Sequence, residues 1–158
     1  MEPLAIKKYP DKILRKKCVE LEEITDKERE LLGKMFFTMR HFGGIGLAAP
    51  QIGISKKLIV AKVDEHTVKL ANPEIIKIKG TDNMVEGCLS IPGVGVDVER
   101  AYKVVVKGLS ENGEIVEIKA KGLLARVLQH EIDHLSGKLI IDYLPFWEKL
   151  KFRVKSRR

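Results

Sequence analysis

His130 and His134 stand four residues apart in the segment His130-Glu131-Ile132-Asp133-His134. On a helix, positions four apart lie one above the other, so both imidazoles can reach a single metal ion. Glu131 is displaced by one residue. It stands beside such an ion without ligating it and can accept a proton from an attacking water. This is the chemistry of metal-assisted amide hydrolysis. Two ordinary histidines on a helix would have the same spacing. Here they are two of only four histidines, set in an otherwise apolar segment. Burying two imidazoles and a carboxylate there without partners would be costly. Spacing assigns no role to Asp133 beyond support of its neighbours.

A hydrolytic centre normally holds three protein ligands and a water. No histidine follows His134, and Ile140 occupies the position where a long metalloprotease motif carries its third. Glu148 is the nearest downstream glutamate and lies very close in sequence, which makes an upstream ligand more economical. Cys88 is the best upstream candidate, in the turn-rich segment Glu86-Gly87-Cys88-Leu89-Ser90-Ile91-Pro92-Gly93. Its thiolate would bond zinc or ferrous iron strongly. On spacing alone a small buried thiol fits equally well. Cys18 has that same bland reading and no motif around it. His41 and His66 read as surface or structural residues.

The stretch Gly43-Gly44-Ile45-Gly46-Leu47-Ala48-Ala49-Pro50-Gln51 lacks the Lys-Ser/Thr of a phosphate loop. It also follows a predicted helix instead of a strand. Small residues here let another backbone approach closely. Gln51 is then placed to donate to a carbonyl oxygen that develops negative charge. A tightly packed turn with an exposed Gln is the default reading of this segment in isolation.

These groups need elements to hold them. Leu123, Leu124, Val127, Leu128, Ile132 and Leu135 predict a helix from about Leu123 to Leu135, apolar round much of its surface and hence central. Gly137 is placed to end it. Thr25-Asp26-Lys27-Glu28 has the form of a capping box. Leu31, Leu32, Met35, Phe36 and Met39 follow at helical spacing, with a stop near Phe42 before Gly43-Gly44. Strands are expected over residues 58–63, 75–78, 103–106 and 115–118. Asn112-Gly113 is a hairpin signal between the last two, of the type that accepts positive φ. A short third helix is expected from Phe146 to Val154, with Trp147, Leu150 and Val154 inward. The order gives an α+β fold: antiparallel or mixed β-sheets packed around the central helix, with an N-terminal helix and a short C-terminal one.

The 158 residues fit one domain, 1–158, without repeats or linker-like tracts. Apolar residues make up 44%, enough for a core, and no apolar run is long enough to span a membrane. The start Met1-Glu2-Pro3-Leu4 is unlike a secretory signal. Two cysteines in a chain of this size need no disulfide, so a reducing cytoplasm is expected. The net charge is +7, and Lys149, Lys151, Arg153, Lys155, Arg157 and Arg158 crowd the last ten residues. That tail reads either as solubilising or as a contact with RNA or the ribosome. Scarce Asn and Gln lean weakly towards a thermophilic source.

Three segments occur in order: Gly44-Ile45-Gly46-Leu47-Ala48-Ala49-Pro50-Gln51, Glu86-Gly87-Cys88-Leu89-Ser90 and Gln129-His130-Glu131-Ile132-Asp133-His134-Leu135. Each alone is only suggestive. The ordered triple closely resembles the signature of the peptide deformylases, and the likeness extends to Gly137-Lys138-Leu139-Ile140-Ile141-Asp142. The resemblance implies removal of the formyl group from the N-terminal formylmethionine of new proteins. By position it implies Cys88, His130 and His134 as metal ligands, Glu131 as proton shuttle, and Gln51 with the Leu89 amide as oxyanion donors. It implies Ile45 and Gly46 along the substrate backbone, and Leu123 and Val127 in the methionine side-chain pocket. It also implies ferrous iron in the cell, with zinc, nickel or cobalt able to replace it. Where many family members carry an acid before Gly-x-Gly, this chain has Gly43, so Arg100 is expected to need another partner. The tail after Asp142 is short for a ribosome-docking helix, though its basic character suits one. Two alternatives remain at this level: a metallo-endopeptidase using the same helix, and a non-catalytic basic RNA-associated module.

Overall fold

A computed structural model of the chain describes residues 1–156, and side chains over 1–152. The predicted α1 spans Asp26–His41 and is capped at Phe42. The Thr25 hydroxyl donates to the Glu28 carboxylate and caps no backbone amide, so the Thr25 half of the expected capping box does not form. The strands are β1 (Gly46–Ala48), β2 (Leu58–Val63), β3 (His66–Lys79), β4 (Asp82–Cys88), β5 (Ile91–Arg100), β6 (Lys103–Ser110) and β7 (Ile115–Lys121). Helix α2 follows at once, over Gly122–Leu135, and α3 covers Phe146–Ser156.

Five strands form one antiparallel sheet in the order β1-β2-β3-β6-β7, and β4 pairs only with β5. The four expected strands are present within β2, β3, β6 and β7. Strands β1, β4 and β5 were not expected, because Gly46, Gly87, Pro92, Gly93 and Gly95 give those stretches the composition of turns. The β6–β7 hairpin is present, but Asn112 does not take positive φ. Gly113 alone does, at 81°, so the turn is not the two-residue type in which both central residues need it.

The five-stranded sheet is covered on both faces. Helix α2 packs Leu124, Ala125, Val127, Leu128 and Leu135 against Ile59, Ala61, Leu70, Val104 and Val106. On the other face α1 sets Leu32, Met35 and Met39 on Leu47, Leu58 and Val60. A third cluster joins Leu14, Val96, Val98 and the segment 139–141, closing the β4–β5 hairpin against the ends of the chain. The central helix is thus buried as its apolar circumference requires. Helix α3 differs from expectation: Trp147 is 67% exposed and Leu150 40%, and the inward contact is Phe152, edge-on to Tyr9. The amphipathic spacing was misphased, because the short helix packs through its far end. The side chains of Arg153, Val154 and Lys155, and the whole of Arg157 and Arg158, lie outside what the structure describes. Cys18 and Cys88 are both free. Burial, only partly offset by Lys57, pushes the Cys18 thiol up to about 11, so it is inert packing.

Candidate metal centre and active site

The three proposed ligands come from two elements. His130 and His134 project from one face of α2. Cys88 is the last residue of β4, where the hairpin turns, and its Sγ lies 3.5 Å from His134 Nε2. One donor atom from each of Cys88, His130 and His134 falls within 4.8 Å of the other two. A tetrahedral ion with bonds of about 2.0–2.3 Å would have donor–donor edges of roughly 3.3–3.8 Å. Small side-chain adjustments therefore let the three close on one ion, and the thiolate-plus-imidazole set suits zinc or ferrous iron.

His130 is oriented by a carboxylate that sequence reading did not single out. Its Nδ1 lies 2.8 Å from Glu86 Oε1, which leaves Nε2 free for a metal. Glu86 is itself held by two arginines. Arg100 donates through Nε and Nη2 at 2.7 and 2.8 Å, and Arg126 through Nη1 at 2.6 Å. Burial alone would push the Glu86 carboxyl up. The bonds from Arg100 and His130 outweigh that and hold it at about 2. Arg100, expected to need a partner, finds Glu86 and also Asp133 at 2.8 Å; Asp133 accepts a further bond from the Tyr143 hydroxyl at 2.6 Å. One clue lay in the sequence: Arg126 is a lone cation in the apolar turn before His130, and a buried arginine demands a buried carboxylate.

Glu131 is 4% exposed, and its Oε1 has no hydrogen-bond partner among the described residues. Burial pushes its carboxyl up to about 7 against the pull of His130 and Arg100. A carboxyl poised near neutrality can both take and return a proton. Its room is made by Gly46: a Cβ there would sit 2.4 Å from Glu131 Oε2 and 2.8 Å from Val127 Cγ1. Gly46→Ala should therefore displace the Glu131 carboxylate and lower kcat at least about tenfold, while metal content per chain stays constant. Parallel activity and metal assays check this.

Gln51 is 2% exposed, unlike the exposed residue of the default reading. Its Oε1 accepts from Ala48 N at 2.9 Å, so the amide is pinned with Nε2 towards Ser90 Oγ at 3.2 Å and Cys88 Sγ at 3.6 Å. The irregular N-terminal segment straps this region. Lys7 N donates to Gln51 O at 2.7 Å, Lys8 Nζ to Leu89 O at 3.3 Å and Tyr9 N to Ser90 O at 2.8 Å. Sequence reading gave no hint of that strap.

A cavity of about 480 Å³ opens over these groups. Nine of the ten expected site residues line it: Ile45, Gly46, Gln51, Cys88, Leu89, Leu123, Val127, His130 and Glu131. His134 lies behind the wall at 1% exposure. Met84 and Val85, not foreseen, add exposed apolar surface to the rim. His41 and His66 are exposed and take no part.

A family model described as polypeptide deformylase matches residues 3–149. A peptide deformylase of Thermodesulfovibrio yellowstonii is 46% identical over 99% of this chain and 98% of its own length. One of Carboxydothermus hydrogenoformans is 52% identical over 84% of this chain and 87% of its own. Among solved structures, a peptide deformylase from Legionella pneumophila superposes with a TM-score of 0.91 at 41% identity, covering 99% of this chain and 94% of that one. One from Ehrlichia chaffeensis, in complex with actinonin, gives 0.93 at 36% identity over 100% and 99%. The likeness spans the sheet, the β4–β5 hairpin and α2, which together build the centre, and the chain belongs to the peptide deformylase family.

Proposed function

We propose that residues 1–158 act as one catalytic domain, in which Cys88, His130 and His134 hold a single divalent ion and Glu131 moves the proton. The reaction is the family's: hydrolysis of the formyl amide at the N-terminal formylmethionine of new peptides, with release of formate. The observation that carries this reading is the close approach of the three donor atoms beside a buried, unpartnered Glu131 oxygen. When bound, the ion supplies Lewis acidity and brings the pKa of water towards neutrality. Glu131 takes the proton of the attacking water and later returns it to the leaving amine. Gln51 Nε2 and the Leu89 amide donate to the oxygen that becomes negative. Ile45 and Gly46 lie along the substrate backbone. Leu123 and Val127 face the methionine side chain, with Val127 5% exposed and Leu123 41% exposed at the rim.

Fe2+ is the proposed ion, with Zn2+, Ni2+ or Co2+ able to occupy the same donors. The cytoplasm is the proposed site of action, supported by the free thiols of Cys18 and Cys88; no helix among the described residues is long and apolar enough to cross a membrane. A ribosome contact through the basic C-terminal segment is likewise proposed, supported by the charge of its composition.

Gln51→Ala should lower kcat by about 100-fold with the metal retained, the effect of losing one oxyanion donor. Steady-state kinetics beside metal analysis checks this. Metal uptake should also release protons. Burial disfavours charge on His130, but Glu131, Cys88 and Glu86 outweigh it and raise its pKa to about 10. It is therefore protonated at pH 7 without metal, whereas a ligand must be neutral. Titration calorimetry in buffers of different ionisation heat should report at least one proton released per ion.

Elemental analysis after anaerobic purification tests the assignment. About one iron per chain is expected in the wild type and near none in Cys88→Ala. A wild type without stoichiometric metal would overturn it.

A further inference from the structure

We propose that Lys7, Lys8 and Tyr9 are positioning residues for the two oxyanion donors, Gln51 Nε2 and the Leu89 amide, a role that rests on the deformylase reading of those donors. Each donor sits in a short stretch that its own element does not fully hold. Gln51 lies in the single 3-10 turn Ala49–Ile52. Ile54 N and Gly53 N take the carbonyls of Ala49 and Pro50 at 3.0 Å each, and the Gln51 carbonyl is left over at the end of the turn. Leu89 and Ser90 are the connection between the last residue of β4 and the first of β5, closed by the pair Cys88–Ile91. Their carbonyls lie outside the ladder.

Consecutive residues of the N-terminal segment take up these carbonyls. Lys7 N donates to Gln51 O at 2.7 Å and Tyr9 N to Ser90 O at 2.8 Å. Between them the Lys8 ammonium reaches Leu89 O at 3.3 Å. Any carbonyl shielded from water needs a partner, so one such bond would be ordinary. Here successive residues serve the two donor-bearing stretches, which are far apart in sequence, and leave the donors themselves free. Gln51 Oε1 is spent on Ala48 N, which aims Nε2 towards Ser90 Oγ and Cys88 Sγ. The Leu89 N–H has no backbone acceptor among the described residues, and Leu89 lines the active-site cavity.

The strap holds because it is fixed on both sides. Upstream, Leu4 N donates to Thr38 Oγ1 on α1 at 2.9 Å. Downstream, Leu14 is wholly buried, Arg15 Nη1 donates to Gly137 O at 3.1 Å, and Cys18 N donates to Leu135 O at 2.8 Å, one residue beyond His134. The segment thus runs from α1 to the end of α2 across both donor stretches. Oxyanion donors work because they are set in place before charge develops. A misplacement of about 1 Å can cost about 100-fold in rate. Lys7 and Tyr9 act on the reaction through Gln51, Leu89 and Ser90, without touching substrate.

The test removes one backbone N–H at a time from the full, metal-loaded chain. An α-hydroxy acid with the native side chain, placed by nonsense suppression, turns the amide at Lys7 or at Tyr9 into an ester. The same exchange at Leu4 deletes a hydrogen bond of the same segment away from the donors. The Lys7 and Tyr9 esters should each lower kcat on a formyl-Met-Ala peptide at least about fivefold, with KM within about twofold and metal content unchanged. The Leu4 ester should keep wild-type kcat. In a Gln51→Ala background the Lys7 ester should cost nothing further, because the donor it holds is gone, whereas the Tyr9 ester should still cost. Unchanged kcat in the Lys7 and Tyr9 esters, an equal loss in the Leu4 ester, or a Lys7 loss undiminished in Gln51→Ala would overturn the proposal. One readout needs no activity. In zinc-loaded protein the Gln51 side-chain amide should show a lower NMR order parameter in the Lys7 ester than in wild type or the Leu4 ester. Equal order parameters would also overturn the proposal. A loosened Gln51 amide beside a wild type that releases no formate would support the strap and count against the deformylase reading.

Discussion

Glu131→Gln should lower formate release by about 1,000-fold while metal content per chain is unchanged. General acid–base catalysis by one group contributes roughly 10²- to 10⁴-fold. In the proposed mechanism Glu131 acts twice, on the attacking water and on the leaving amine, so the loss should reach at least the middle of that range. It stands outside the Cys88, His130 and His134 donor set, so its loss should not empty the site. A second readout concerns the metal-free protein. The Glu131 carboxyl is raised from 4.5 to about 7 by burial, so the folded state holds its proton more tightly than the unfolded one. That contribution is fully present below about 4.5 and is lost as pH rises through 7. Glu131→Gln removes this loss. Without metal, the variant should therefore gain stability relative to wild type as pH climbs from 5 to 8, an effect visible by differential scanning fluorimetry.

Glu86→Gln should be the most destabilising single change near the site, by about 3–5 kcal/mol at pH 7. It strips the charge that Arg100 and Arg126, both 4% exposed at the side chain, share in the interior. For a chain of this size that corresponds to a fall in Tm of roughly 10 °C. The Glu86 carboxyl is held at about 2 instead of 4.5, so its contribution is present above 4.5 and is lost as pH falls towards 2. The gap between wild type and variant should accordingly narrow below pH 4.5. His130 also loses its orienting partner, so metal affinity should drop about 10- to 100-fold, measurable by competition with a chelator. Equal Tm values at pH 7 would refute this account of the network.

The parts of the centre written in local spacing were legible in the sequence. The four-residue interval of His130 and His134 needed only the helix period. The helix in turn followed from Leu123, Leu124, Val127 and Leu128. Cys88 was narrower: elimination made it the best candidate, and only the resemblance assigned it. What escaped was built from contacts distant in sequence. Glu86 looked like the first letter of a turn motif, and nothing local says that Arg100 and Arg126 converge on it. The strap of Lys7 and Tyr9 on Gln51 and Ser90 joins backbone groups, which carry no side-chain signal, and the Lys8 ammonium that adds to it reaches only a distant backbone carbonyl, that of Leu89. Strands β4 and β5 were hidden by their glycines and Pro92. They bury one face of an isolated hairpin against residues 139–141, so neither shows the long apolar run of a central strand.

The buried charges also set how the centre is stabilised. His130 is fixed through Glu86, and Glu86 through two arginines, Arg100 at the end of β5 and Arg126 on α2. The hairpin, α2 and the ligands thus share one carboxylate. Arg100 extends the same network to Asp133 and Tyr143, next to His134 in sequence and beyond α2 respectively. Gly46 belongs to the same design, since its missing side chain is the space that Glu131 fills.

The most direct measurement is formate release from a formyl-Met-Ala peptide by reduced, metal-loaded protein. Product analysis of the same mixture should accompany it. One formate and one free methionyl amine per peptide are expected, with unformylated internal peptide bonds left intact. A fully metallated protein that releases no formate, or that cuts internal bonds instead, would contradict the account.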